Sequence, residues 1–244
     1  MAMNTDSSEI LFLSALRTAL NRKGQAPEFE SLFPKKAVAI ASGARSSQLM
    51  QRPEQEPAIP SFLEEARALS METACIQTRI QLAETIGAIV DRIPAEWALV
   101  KTVVCCDHPL IRSTGIVEIL KGIAVDVAFP DAATSAQQFR NLCAEATIGI
   151  FVADYAVAES ATLVLRNRPD CPRLVSLLPS ASIAIVPSDC VLATFSELAD
   201  ILAGAAASDG MSFITGPSKT ADIEAVMVQG AHGPRSLHVL LTTF

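Results

Sequence analysis

Tryptophan and tyrosine occur once each among 244 residues, histidine three times, and aromatic residues total 5%. Cations are outnumbered too: 19 Lys and Arg stand against 26 Asp and Glu, a formal charge of −7. Phosphate neutralisation needs cationic surface, so neither nucleic acid nor an anionic membrane surface is an expected partner. No two cysteines are spaced C-x-x-C; the six lie at positions 75, 105, 106, 143, 171 and 190. Clusters and metal ions want thiolates at short regular spacing, so the chain is expected to hold no metal and no iron–sulfur cluster. Reduced, mostly buried thiols of a cytoplasmic protein are expected instead. The adjacent Cys105 and Cys106 are badly placed for a metal or for a bond to each other.

Long apolar runs are also missing, although the mean hydropathy is +0.35. The uncharged stretch from Leu174 to Ser188 has only 15 residues and contains Pro179 and Pro187. A membrane span needs about 20 apolar residues, so a buried strand with flanking turns is expected here. Asp6, Glu9 and Arg17 interrupt any signal-peptide core. Apolar residues nevertheless make up 50% of the chain. That excludes general disorder and gives one α/β domain a sizeable core, while a second full domain would be cramped.

The chain opens with an amphipathic pattern at Ile10, Leu13, Leu16 or Arg17, and Leu20, preceded by Asp6 and Glu9 as a capping signal. Five of the 14 prolines then fall between Gly24 and Pro60, which predicts an irregular segment. Residues 1–60 are therefore assigned to a helix and a Pro-rich stretch, and 61–244 to the folded domain. Leu69, Ile76, Ile80, Ala83, Ile86 and Val90 keep helical spacing, which predicts one helix from about Ser61 to Arg92, stopped by Pro94. Apolar strands are expected at Val100–Cys105, Ile123–Val127 and Ile148–Val152, with helices at Ile111–Leu120 and Thr134–Cys143. Further strands are expected at Ala161–Leu165, Ile183–Val186, Met211–Thr215 and Leu237–Leu241, and a helix at Phe195–Ala206. Short continuous apolar strands alternating with helices indicate an α/β fold with a mostly parallel, two-sided sheet.

Three motifs carry candidate chemistry. Ala153-Asp-Tyr-Ala-Val-Ala-Glu-Ser-Ala-Thr162 follows an apolar strand, where open α/β sheets line their ligand crevice. Asp154 and Glu159 sit there among small apolar residues, a setting that raises a carboxyl pKa. Equally, Asp154 caps a turn and Glu159 pairs with Arg166 or Arg173. Thr215-Gly-Pro-Ser-Lys-Thr-Ala-Asp-Ile-Glu224 runs from a strand into a hydroxyl-rich stretch. It makes either an anion cradle from backbone N–H groups and Lys219 or a capped helix start. Its spacing is neither a P-loop nor a dinucleotide fingerprint. Gly230-Ala-His-Gly-Pro-Arg235 places His232 and Arg235 where together they hold a carboxylate or phosphate, or where His232 is a structural turn residue. His238 falls within the last strand, packed or at an edge, and His108 lacks metal-site spacing.

The second and third motifs, with the apolar strand after them, resemble the LUD domain of the lactate utilization protein C family. So does Ala153–Leu163, followed by Arg173 and Ser176-Leu-Leu-Pro179. The resemblance covers about residues 60–244 and is motif-level in the last 90. The sequence departs from the family pattern in three places: Phe151 replaces a Thr, Ala161 a Gly and Ser182 a His. The family implies a Rossmann-like fold shared with sugar-phosphate isomerases and CoA transferases. It also implies a role in bacterial oxidation of L-lactate to pyruvate beside iron–sulfur partner proteins, which would carry the clusters. On motif and resemblance together, Asp154, Thr162, Arg173, Gly216, Ser218, Thr220, Asp222, His232 and Arg235 are expected to bind a small organic anion, with Glu159 as the catalytic candidate. An accessory subunit of the lactate-oxidising system is the first expectation. A stand-alone isomerase or transferase acting on a sugar phosphate, CoA ester or folate-type substrate is the alternative, with Glu159 as base or nucleophile. A pure binding module for an organic anion is the third.

Overall fold

The computed structural model describes residues 58–95, 100–129, 134–203, 210–221, 227–230 and 232–244. The expectations for residues 1–57 lie outside the described residues. All described residues belong to one compact unit.

Helix α1 (Ala58–Ala68) and helix α2 (Arg79–Arg92) flank strand β1 (Glu72–Ile76). The single helix predicted over residues 61–92 is therefore wrong. Ser70 takes φ +66, and the Met71 N–H turns back to the Ala66 carbonyl at 2.9 Å, which ends α1. Residues 72–76 then pair in parallel with the last strand. Thr78 restarts the helix by accepting the Gln81 N–H at 3.1 Å. Ile80, counted in the apolar stripe, is 72% exposed, whereas Ala83, Ile86 and Val90 do face the core.

The chain continues through β2 (Thr102–Cys105), α3 (Pro109–Arg112), α4 (Ile116–Gly122), β3 (Asp126–Ala128), α5 (Ala136–Glu145) and β4 (Ile148–Val152). The helix predicted over 111–120 is split in two, because Gly115 at φ +71 ends one turn and opens the next. A second group follows: β5 (Tyr155–Val157), a 3-10 turn (Ala158–Ser160), β6 (Thr162–Arg166), α6 (Leu174–Leu177) and β7 (Ala181–Pro187). β8 (Val191–Leu192), α7 (Phe195–Ala203), β9 (Met211–Ile214), β10 (Lys219–Ala221), β11 (Met227–Gln229) and β12 (Ser236–Thr242) complete the described chain.

Six strands form one wholly parallel sheet in the order β1-β12-β7-β4-β2-β3, as the alternation of apolar strands and helices indicates. Its central strands are buried on both sides, with Ile148, Ile150, Phe151, Ile183 and Val239 fully enclosed. α6 packs on the side of Gly149 so closely that a Cβ there would overlap the Val175 carbonyl. A smaller sheet, β8-β5-β6-β9, has its own cluster of Val157, Val164, Leu192 and Leu198. β10 and β11 form an antiparallel hairpin, so the helix start considered at Ser218 is a strand instead.

Register fixes two edges of the main sheet. Ser236, Ala181 and Ile148 lie in one row near the amino ends, and Val152 pairs with Ile185 near the carboxyl ends.

Candidate functional site

Asp154 lies just beyond the carboxyl end of β4. Its carboxylate accepts the Arg166 backbone N–H and an Arg168 Nη1–H, both at 2.8 Å. The Asp154 side chain is only 10% exposed and Arg168 33%. Arg168 Nε also lies 3.4 Å from Asp170. Asp170 in turn accepts the Asp107 N–H on its carbonyl at 2.7 Å. Asp154 thus holds two loops together, and both of its oxygens are engaged. For Asp154 the sequence offered only a turn cap, with no arginine partner; Arg168 meets it because the β5–β6 hairpin folds back. His108 caps α3 by accepting the Leu110 N–H; burial and the nearby Arg168 hold its pKa below the ordinary value.

The loops of this edge are also joined covalently. Cys106 and Cys171 form a disulfide, which corrects the expectation of six reduced thiols. Of the others, Cys105 and Cys143 are buried, Cys190 is half-buried and Cys75 is exposed. Among the described residues no group of three His, Cys, Asp or Glu is placed to hold a metal ion.

Glu159 is exposed on the 3-10 turn. Its carboxylate accepts the Phe195 N–H at 2.8 Å, at the amino end of α7, where a negative charge is favoured. Neither Arg166 nor Arg173 is its hydrogen-bond partner. Arg173 is exposed at the start of α6.

Thr162 joins the first motif to the second. Its buried Oγ1 lies 2.7 Å from Ser160 Oγ and 2.7 Å from Thr215 Oγ1. From Thr215 the chain enters Gly216, at φ +89, where a Cβ would rest 3.5 Å from that of Leu69. Lys219 donates to the Leu69 carbonyl at 3.1 Å and to Ser70 Oγ at 3.2 Å. It caps α1, a role the sequence reading missed.

The second and third motifs close on each other. The Ser218 N–H donates to the Pro234 carbonyl at 2.8 Å, the Gly230 N–H to the Ser218 carbonyl at 2.9 Å, and the His232 N–H to Ser218 Oγ at 3.4 Å. Thr220 pairs with Val228 across the hairpin. Asp222 lies outside the described residues. Gly230 has φ +82, and a Cβ there would overlap the Arg235 side chain. The Arg235 N–H donates to the Ser180 carbonyl at 2.7 Å, while the Arg235 and His232 side chains are exposed.

Ser218, Gly230, His232 and Arg235 therefore gather at the amino edge of β12 and β7, and Asp154 sits at the carboxyl edge of β4. About seven residues of strand separate Arg235 from Asp154, roughly 20 Å at about 3.3 Å per residue. The sequence reading expects the three motifs in one crevice at the carboxyl edge; the last two lie instead before β12 and enter it at its amino end.

The three departures from the family pattern have visible settings. Phe151 fills the core, and Ser182 donates to the Ser176 carbonyl. Ala161 takes φ +46, a conformation that suits glycine.

This is an open parallel α/β sheet with a small second sheet and a glycine-bounded turn block at its amino edge. The chain belongs to the LUD domain family, whose model matches residues 59–242. Lactate utilization protein C of Halalkalibacterium halodurans is 33% identical over 163 residues, 65% of this chain and 68% of that protein. Its counterpart in a Geobacillus species is 29% identical over 188 residues, covering 73% and 76%. In an Exiguobacterium species the identity reaches 43% over 100 residues, only 39% of this chain and 44% of that protein. The strongest local matches thus span less than half of the relatives' length. The crystal structure of a DUF162 family protein from Deinococcus radiodurans has the same fold, with TM-score 0.50 at 20% identity over 76% of this chain and 96% of that one.

Proposed function

We propose that this chain is an accessory component of a bacterial L-lactate utilisation system, binding a small organic anion at the amino-edge block and working beside iron–sulfur proteins in the cytoplasm. The observation that carries the anion reading is the turn at Gly230. There the absence of a Cβ and the positive φ admit the Arg235 side chain, on the same turn block as the exposed His232. A guanidinium suits a carboxylate or phosphate. The names of the relatives supply lactate utilisation as the context.

The engagement of Glu159 with the amino end of α7 favours this accessory role over a stand-alone isomerase or transferase using Glu159 as base or nucleophile. Among the described residues no helix is long and apolar enough to cross a membrane.

Deleting the gene in its host should abolish growth on L-lactate as sole carbon source and spare growth on pyruvate. The intact gene should restore growth, and an Arg235→Ala allele should not. Undiminished growth of the deletion strain on L-lactate would refute the proposal. Tagged protein purified anaerobically from lactate-grown cells should bring cluster-bearing proteins with it, whereas the chain alone should be colourless.

A further inference from the structure

Cys106 leaves the end of β2, and Cys171 lies in the loop between β6 and α6. They are 65 residues apart in sequence, with Cα atoms 4.7 Å apart. Both are buried. Around the bridge the two loops share the Asp107–Asp170 backbone hydrogen bond and the Asp154–Arg168–Asp170 contacts. Arg168 Nε faces Asp170 at 3.4 Å without completing a hydrogen bond. Cys105, Cys143 and Cys190 are poor competitors for exchange, since burial keeps their thiols protonated, with pKa values near 12, 11 and 11. Cys75 lies on the edge strand β1, at the opposite end of the sheet order from β2 and β3.

We propose that Cys106–Cys171 is a redox-responsive latch: bridged, it clamps the carboxyl-edge loops and the entry to α6; reduced, it releases residues 167–173 while the sheet stays folded. This does not depend on the anion-binding reading. A reducing compartment keeps such a pair as thiols; a shift of the poise toward oxidised dithiols closes the bridge, and its recovery opens it again.

The reductant is a dithiol. One of its thiolates attacks a bridge sulfur, forming a mixed disulfide and expelling the other cysteine as a thiolate that takes a proton. Its second thiol then displaces the first cysteine. The products are two protein thiols and one oxidised dithiol, so two electrons and two protons pass to the protein. An oxidised dithiol reverses the step.

The sheet survives because the freed thiols behave as small apolar side chains in the same core. Strand β2 also keeps its register with β4 and the bond from the Cys106 N–H to the Ile150 carbonyl. Released motion has a route to the other edge. The loop after Cys171 enters α6, which packs on Gly149, and Ser180 just beyond it accepts the Arg235 N–H.

The full chain, purified without reductant, is denatured with iodoacetamide and mapped by mass spectrometry. Four alkylated cysteines and a linked Cys106–Cys171 peptide are expected. Equilibration in mixtures of reduced and oxidised dithiothreitol should give one two-electron transition, adding two alkylated cysteines. Hydrogen exchange should quicken over residues 167–178 on reduction and stay slow in β12. Cys171→Ser should show the fast pattern with or without dithiol; if it does not fold, reduced wild-type protein carries the measurement. Six alkylated cysteines at every ratio would overturn the proposal. So would a bridge whose reduction leaves exchange at 167–178 unchanged, or one whose reduction exposes β12, which would make it a staple.

Discussion

The two edges of the parallel sheet handle their charged residues in opposite ways. At the carboxyl edge Asp154 is enclosed, both its oxygens engaged, and the loops beside it are cross-linked. At the amino edge Arg235 and His232 stay exposed on a turn shaped by Gly216, Gly230 and backbone hydrogen bonds through Ser218. The first arrangement fixes loops. The second puts a guanidinium and an imidazole at the surface. In open α/β sheets the carboxyl edge is the usual ligand side; here its best-placed carboxylate is committed to structure. Ligand binding is therefore expected at the edge where the family-matching motifs converge.

Substitutions can break this contrast. The largest effect is expected from Gly149→Ala, whose new Cβ meets the Val175 backbone and must push α6 away. Overpacking of this kind costs about 3 kcal/mol, measurable by urea unfolding, and anion affinity should fall along with stability. Asp154→Ala should cost about 2–3 kcal/mol, because it strands the Arg166 N–H and the Arg168 guanidinium. Anion affinity, by calorimetry, should be unchanged. A protein that loses its anion with Asp154 but keeps full stability would reverse the roles of the two edges. Gly230→Ala should displace the Arg235 side chain and weaken anion binding at least tenfold. It should cost about 1–2 kcal/mol of stability, because an alanine resists positive φ.

Acid should act on the sheet itself. The buried His238 imidazole has neither nitrogen hydrogen-bonded. Burial pushes its pKa down, Glu72 raises it in part, and Arg92 lowers it further. The unfolded chain therefore takes up this proton first, near pH 6.5. Stability should fall as pH drops below that value and level off once the folded state protonates. His238→Leu should flatten this part of the stability profile; an unchanged slope would assign it to other groups. The smallest effect is expected from Ala161→Gly. Relief of the left-handed backbone, worth about 1–2 kcal/mol, opposes the loss of a buried methyl at about 0.8 kcal/mol and the added chain entropy of glycine. The melting temperature should move by only a few degrees.

Legibility in the sequence followed the range of the interaction. β4 spans Ile148–Val152 as its five-residue apolar run predicts, because a central strand is buried on both faces. The helix expected near residues 134–143 is present as α5, opened by a capping box from Ser135 and Gln138, a local signal. β1 was hidden, because Leu69 to Val90 keeps helical spacing and only pairing with β12 makes residues 72–76 extended. The contacts between Thr162 and Thr215 and between Ser218 and Gly230 were foreshadowed by the grouping of the motifs. Their edge was not, since it depends on which end of β12 the chain enters. Arg168, Asp170 and the Cys106–Cys171 bridge carried no sequence signal: their partners come from folding back, not from spacing.

The most direct test of the contrast is backbone amide NMR of the full chain, titrated with L-lactate, pyruvate and inorganic phosphate. Saturable shifts should cluster at Ser218, Gly230, His232 and Arg235, and should vanish in Arg235→Ala. Shifts centred on Asp154, Arg168 and Asp170, or no saturable shift with any of the three anions, would contradict it.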